Sequence, residues 1–269
     1  MLSVCLPIYN LDVRPLVNEL LAQIDEQGLD VEIVCIDDCS KPEYQAVNQS
    51  LSMRVKYIAL EQNIGRSRIR NRLAAESRGD YLLFIDCDVQ VRDHCFIAKY
   101  LDVIQQHRDV DLVCGGLKYD KDTNRLHQLR YRYGVQRESQ SAAQRRKHPY
   151  KSFLSSNFVI SRTTFAAVPF DTNLKGYGHE DTLFGYHLKQ RRAKIIHIDN
   201  PIHITDIEDN ATFLSKSQQA VGNLWSLYRN SGIAANSDFV EDVALLHTYE
   251  SLKQRHLIPI VSGFYRIAQ

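Results

Sequence analysis

The chain has 269 residues and a formal net charge of +1, with 44% apolar and 24% charged residues. That length suits one large α/β domain of roughly 200–250 residues, or two small ones. The near-zero charge gives no bulk electrostatic case for a nucleic-acid partner. No apolar run approaches the ~18 residues that span a bilayer.

The opening "MLSVCLPIYN" reads as a strand, with no basic segment and long apolar stretch of the kind a secretory leader has. Next, "RPLVNELLAQI" carries helical spacing through Leu16, Leu20, Leu21 and Ile24, and Gly28 is a stop signal. "VEIVCIDDCS" and "RVKYIAL" read as two further strands, and "GRSRIRNRLAAESRG" as a helix closed near Gly79. "YLLFIDCDV" is the fourth strand, "CFIAKYLDVIQQH" a helix, and "VDLVCGGLKY" a strand again. This alternation predicts βαβ units and a mainly parallel sheet, and the near-continuous apolar strands predict helices on both faces. Cys5, Cys35, Cys39, Cys87, Cys95 and Cys114 form no Cys-x-x-Cys pair, and several lie in apolar runs. A reduced, cytoplasmic protein is expected.

Residues 125–151 break the pattern. Arg125, Arg130, Arg132, Arg137, Arg145, Arg146, Lys147 and Lys151 stand against one acid, Glu138, with weak apolar periodicity. An insertion or mobile surface segment is expected there, on the acceptor side or against anionic lipid headgroups. From about Asp209 onward the pattern is helical. The expected division is residues 1–208 as the catalytic domain and 209–269 as a helical extension.

Ligands of open parallel sheets bind at the carboxyl ends of the strands, so polar residues there are the first candidates. The first strand ends in Pro7-Ile8-Tyr9-Asn10, the second in Asp37-Asp38-Cys39-Ser40 and the fourth in Asp86-Cys87-Asp88. In extended backbone Asp86 and Asp88 share a side, and two ionised carboxylates repel unless a positive charge sits between them. A hard divalent cation meets that need with oxygen ligands, while acids at strand ends also simply start turns. Cys87 points away, and its soft sulfur suits packing better than Mg²⁺. "NIGRSRIRN" places Asn63 and Gly65 before a helix that carries Arg66, Arg68, Arg70 and Arg72. A helix N-terminus favours anions, and a solvated basic face is the other reading. In "GYGHEDTLFGYHLKQ" a glycine-rich turn with Gly178 and His179 leads into a helix opening on Glu180 and Asp181. Those acids either cap the helix or hold a carboxylate at a pocket edge as general base. "FLSSNFVISRTTF" is a strand that would bring Asn157 near an acceptor.

In order and spacing these pieces resemble glycosyltransferase family 2, the inverting enzymes of GT-A fold, over about Leu2 to Thr205. "FDTNLKGYGHEDTLFGYHL" also resembles the acceptor-side motif of related galactosyltransferases. The resemblance implies a Rossmann-like sheet and a nucleotide-sugar crevice. Pro7, Tyr9, Asn10, Asn63, Gly65, Arg66 and Arg70 would line it, with Asp37 on the uracil or its ribose. Asp86-Cys87-Asp88 matches the family's Asp-x-Asp, which implies Mn²⁺ or Mg²⁺ on the donor diphosphate. His203 sits where relatives place a late metal ligand, although "PIHITD" departs from the usual surroundings. Asp181 would be the catalytic base and Glu180 would position the acceptor, with Gly178, His179 and Asn157 on the acceptor side. The Gln-x-x-Arg-Trp signature of processive synthases is absent, which implies transfer of a single sugar. The implied partners are a UDP-sugar donor and a glycan or lipid-linked saccharide acceptor, with peripheral contact at the inner membrane surface. The competing readings are a nucleotidyltransferase, although "PIYNLDVRP" lacks the glycine-rich phosphate loop, and a non-catalytic nucleotide-sugar or polysaccharide-binding module.

Overall fold

Period-two burial along the first strand sets the architecture. In β1 (Leu2–Ile8), Leu2, Val4, Leu6 and Ile8 pack into one apolar layer and Cys5 into the opposite one. A strand buried on both faces needs helices on both faces. The structure is a computed structural model and describes residues 1–174, 176–230 and 237–256.

The chain continues through α1 (Arg14–Gln27), β2 (Val31–Asp37), α2 (Pro42–Asn48), β3 (Lys56–Ala59), α3 (Arg66–Glu76) and β4 (Tyr81–Ile85). Then come β5 (Val89–Gln90), α4 (Phe96–Gln106), β6 (Leu112–Cys114), β7 (Leu117–Tyr119), α5 (Gln128–Tyr133) and α6 (Ala142–Arg145). β8 (Asn157–Ser161), α7 (Arg162–Ala167), α8 (Glu180–Gln190), β9 (Ile195–His197) and β10 (Ile202–Ile204) follow. The described chain closes with α9 (Asn210–Asn230), α10 (Ser237–Asp242) and α11 (Ala244–Gln254).

Seven strands form a central sheet in the order β3-β2-β1-β4-β8-β6-β9. β8 is antiparallel to both β4 and β6, while the other pairings are parallel. α1 and α4 cover one face through Leu16, Val17, Leu20, Phe96, Ile97 and Tyr100. α3, α7 and α8 cover the other through Ile69, Leu73, Phe165, Phe184 and Leu188. On that face the Phe170 and Phe184 rings stack with centroids 4.3 Å apart, and Phe84 stacks on Phe158 at 5.0 Å. Each such pair adds about 0.5–1.5 kcal/mol beyond its buried area, and together they fix α8 against the sheet.

A smaller sheet, β5-β10-β7, lies past the strand ends. The run read as one strand, "VDLVCGGLKY", is therefore two, β6 and β7, broken at Gly115-Gly116. A Cβ on Gly115 would come within 2.1 Å of the Tyr100 hydroxyl, and Gly116 adopts φ +83. Both demands are met only by glycine.

The basic stretch 125–151 is neither loose nor wholly solvated. It forms α5, a π-helical turn at Gly134–Glu138 and α6. Its anchor is Arg145, 2% exposed. The guanidinium donates to the carbonyls of Cys114, Gly115, Ile198 and Gln140 and to His197 Nδ1. Burial pushes the His197 imidazole down to about 4, so it stays neutral and donates through Nε2 to the Pro149 carbonyl at 3.0 Å. Asn157 is also bonded into the core. It accepts from the Tyr100 hydroxyl at 2.6 Å and donates to the Gly116 and Asn200 carbonyls. α9 packs along α5, with Asn210 Oδ1 accepting from the Leu129 N–H and the Phe213 ring against Tyr133.

Candidate active site

The ends of β1 and β2 are stitched together by their own polar side chains. The Asn10 N–H donates to Ser40 Oγ at 2.7 Å, and Asn10 Oδ1 accepts from the Lys41 N–H at 2.8 Å. Asn10 adopts a left-handed conformation, φ 51, which asparagine tolerates. Asp37 is 0% exposed. One carboxylate oxygen accepts from the Ser40 N–H at 2.6 Å and the other from the Tyr57 hydroxyl at 3.1 Å. With these bonds Asp37 braces the strand ends. Asp38 does the same for the next loop, accepting from the Ile64 and Gly65 N–H groups. Asn63 donates to the Asp38 carbonyl, and Gly65, at φ +81, starts α3. Tyr9 is 55% exposed, and Pro7 and Asn10 are half-buried, so a ligand can reach all three at this end.

At the end of β4 the paired carboxylates part company. Asp86 Oδ1 accepts from Arg70 Nη2 at 2.7 Å, and Arg70 is 2% exposed. Arg66 stands 4.0 Å from Asp86 Oδ2. The positive charge that two adjacent carboxylates require is thus supplied first by arginines of α3. Asp88 keeps a solvent-facing edge, while the protein around it and the charge of Asp86 raise its carboxyl above the usual range. Cys87 packs against the core, and burial pushes its thiol up to about 12, so it offers no thiolate.

Asp86 and Asp88 line a cleft of about 300 Å³ together with Arg66, Ser155, Tyr177 and Asp181. That size falls at the lower end of small-ligand sites. Asp181 Oδ2 accepts from the Ser155 N–H at 3.1 Å, while Oδ1 is shielded from solvent and has no hydrogen-bond partner. Burial, with the charge of Glu180 beside it, pushes the Asp181 carboxyl up to about 6; Arg70 and Ser155 act in the opposite direction. A carboxylate in that range, with one oxygen fixed and one unused, can accept a proton at neutral pH.

Glu180 is held by its own neighbours. Its Oε1 lies 2.8 Å from Arg66 Nε, and its Oε2 accepts from the Gly178 N–H at 3.1 Å. It braces the arginine and the turn. The turn is tightly constrained, with Gly178 at φ +100 and His179 at φ 69. A Cβ on Gly178 would lie 2.5 Å from that of Ala220 on α9. Gly178→Ala is therefore expected to lower stability by about 1–3 kcal/mol and to impair transfer more than nucleotide binding; denaturant titration beside steady-state kinetics checks both. His179 Nδ1 pairs with Thr182 Oγ1 at 3.1 Å, and burial lowers its imidazole pKa.

His203 does not join the cleft. Ile204 lines it, and the alternation of β10 turns His203 to the far side, where its Nδ1 lies 3.2 Å from Arg92 Nη1 and 3.5 Å from Asp120. Among the described residues no group of three or more His, Cys, Asp or Glu side chains is arranged to hold a metal ion. The oxygen donors at Asp88 and Asp86 still fit Mg²⁺, which keeps its waters and is completed by substrate phosphates.

The far wall of the cleft was legible in the sequence only through the basic stretch, which was expected on the acceptor side. The wall carries Tyr119, Arg130, Glu138, Asp206, Glu208 and Lys216, drawn from β7, the basic stretch, the loop after β10 and α9. Arg130 lies 5.2 Å over the Tyr119 ring, and Lys216 lies 5.2 Å over Tyr177. A signal for the remainder of this wall is the recurrence of acids in "TDIED", just after a strand.

Residues 3–167 match the family model described as Glycosyl transferase family 2. A curated relative from Haemophilus influenzae, named an uncharacterized glycosyltransferase, is 37% identical over 118 residues. The match covers 42% of this chain and spans 37% of that relative's length. Among solved structures, S. aureus TarS 1–349 in complex with UDP superposes with a TM-score of 0.59 at 17% identity, over 100% of this chain and 92% of that one. Glucosyl-3-phosphoglycerate synthase from Mycobacterium tuberculosis, in complex with Mn²⁺, UDP-glucose and phosphoglyceric acid, gives 0.56 at 18% identity, over 84% and 79%. At such identities these likenesses speak to the fold. With the family model matching more than half of its residues, the chain belongs to glycosyltransferase family 2 and has a GT-A-type fold.

Proposed function

We propose that the protein transfers one sugar, with inversion, from a UDP-sugar to a hydroxyl of a glycan or lipid-linked saccharide, as in surface polysaccharide assembly. The observation that carries this reading is Asp181, whose buried Oδ1 lacks a partner in a cleft that also holds the Asp-x-Asp carboxylates. Its other oxygen is fixed by Ser155, so the free one is oriented before a substrate arrives. Asp181 takes the proton of the acceptor hydroxyl as that oxygen attacks the anomeric carbon, and the nucleoside diphosphate leaves from the opposite face. Tyr9, Pro7, Gly65 and the α3 N-terminus receive the nucleotide. The UDP and UDP-glucose complexes of the two structural neighbours support that choice of nucleotide.

Asp88, with Asp86 behind it, would hold Mg²⁺ or Mn²⁺. When bound, the ion supplies positive charge to the leaving diphosphate. Thorough chelation with EDTA is expected to stop UDP release from a panel of UDP-sugars and acceptors, and added Mg²⁺ to restore it. Undiminished turnover after chelation would remove the metal from this reading. Failure of every nucleotide-sugar to bind, measured by thermal shift, would remove the donor assignment.

The division into a catalytic domain, 1–208, and a helical extension, 209–269, is kept as part of the proposal, with the extension lending Lys216 to the cleft. Among the described residues no helix is long and apolar enough to cross a membrane. Leu126, Leu129, Tyr133 and Val135 are exposed beside Arg125, Arg132 and Arg137. That mixture supports a cytoplasmic enzyme that touches the inner membrane surface through its basic stretch.

A further inference from the structure

We infer that the acceptor is an uncharged saccharide and that Asp206 helps to exclude phosphorylated and uronic acid sugars, an inference that rests on the glycosyl transfer proposed above. It comes from the pairing of the cations. Arg66, Arg130 and Lys216 are the basic side chains among the described residues that line the cleft, and each already has a carboxylate. Arg66 lies 2.8 Å from Glu180. Arg130 forks onto both oxygens of Glu138, at 3.2 and 3.0 Å. Lys216 holds Glu208. Behind them, Arg70 is committed to Asp86.

Asp88 would hold the ion; beyond it, Asp181 and Asp206 face the same cleft with no salt-bridge partner among the described residues. The diphosphate of the donor and its divalent ion offset one another, so these carboxylates set the charge that an acceptor meets. Ionised carboxylates only accept hydrogen bonds, and sugar hydroxyls donate them. A phosphate or second carboxylate would meet like charge, with no free fork of the kind that arginines offer to phosphate. Binding one would require opening the Arg130–Glu138 or Lys216–Glu208 pair. Repulsion of this kind is how a site rejects a close analogue.

The test uses paired probes: neutral octyl hexosides, each beside its 6-phosphate and its 6-carboxylate counterpart. UDP release above the acceptor-free rate is followed with a panel of UDP-hexoses and Mg²⁺. kcat/KM on a neutral hexoside is expected to exceed that on its anionic counterparts by at least about tenfold. The ratio is expected to narrow at high salt, through screening, and in Asp206→Asn, a change at an exposed position. Equal or better use of an anionic counterpart overturns the inference, as does a ratio that Asp206→Asn leaves unmoved. Acceptor-free UDP release and the UDP thermal shift report the donor side separately. If both are present and no neutral hexoside stimulates turnover, only this inference falls; if both are absent, the proposed function falls with it.

Discussion

Asp181→Asn is expected to lower kcat by about 10²–10⁴-fold, the usual contribution of a general base, while UDP-sugar affinity stays within a few-fold of the parent. The amide keeps the shape of the side chain and can still accept from the Ser155 N–H, but it cannot take a proton. Single-turnover kinetics beside a nucleotide titration separate the two effects, and full transfer by the variant would sink the assignment. The parent should show the matching pH profile. With its carboxyl at about 6, Asp181 is ionised above that value, so transfer falls about tenfold per pH unit below it. The same shift has a stability consequence of known sign. The folded-state pKa lies above the ordinary aspartate value of about 3.9, so the folded protein binds more protons than the unfolded chain between about pH 4 and 6. Stability therefore declines as pH rises through that window. The Asp181→Asn change removes the decline, and at pH 7 the variant is expected to unfold at a temperature no lower than the parent. A catalytically dead variant with intact stability is what distinguishes a base from a structural carboxylate.

Arg145→Met is expected to cost about 3 kcal/mol or more, because it leaves buried carbonyls without donors. The four carbonyls and the His197 nitrogen that the guanidinium binds belong to the ends of β6 and β9 and to the loop before α6. For a domain of this size that is a fall in Tm of about 6 °C or more, measurable by calorimetry or denaturant titration. Arg145→Lys should recover only part of it, since one ammonium cannot reach five acceptors in the directions of a planar fork. A variant within about 0.5 kcal/mol of the parent would show that the guanidinium is not what holds the basic stretch to the sheet.

Arg145 also marks where sequence reasoning ends. The alternation of strands and helices in the first half was legible because apolar periodicity is a local property, and β1 to β4 lie where their apolar runs lie. Asp86, Asp88, Gly65 and Asp181 could be found because acids and glycines at strand ends and helix starts are positional signals. Arg145 could not, since its partners are backbone carbonyls that leave no mark on residue type, and a run of eight basic residues reads as solvated. The bracing bond of Asp37 was hidden for a similar reason: its partner, Tyr57, lies on a neighbouring strand. The face of His203 was hidden by phase, because three residues of strand give too short a run to tell which side a side chain takes.

The small sheet carries one more consequence. Its strands are prolongations of three strands of the large sheet: β4 resumes as β5, β6 as β7 and β9 as β10. The connectors Asp86-Cys87-Asp88, Gly115-Gly116 and 198–201 are therefore seams between two independently registered ladders. A residue inserted within a strand would flip every side chain beyond it to the wrong face. A residue exchanged at a seam leaves both ladders in step. Of the three seams, only the exposed Asp88 can be exchanged without disturbing a bonded or close-packed neighbour, since Gly115 and Gly116 admit no side chain and Asp86 and Asn200 are tied to Arg70 and to the Phe96 carbonyl.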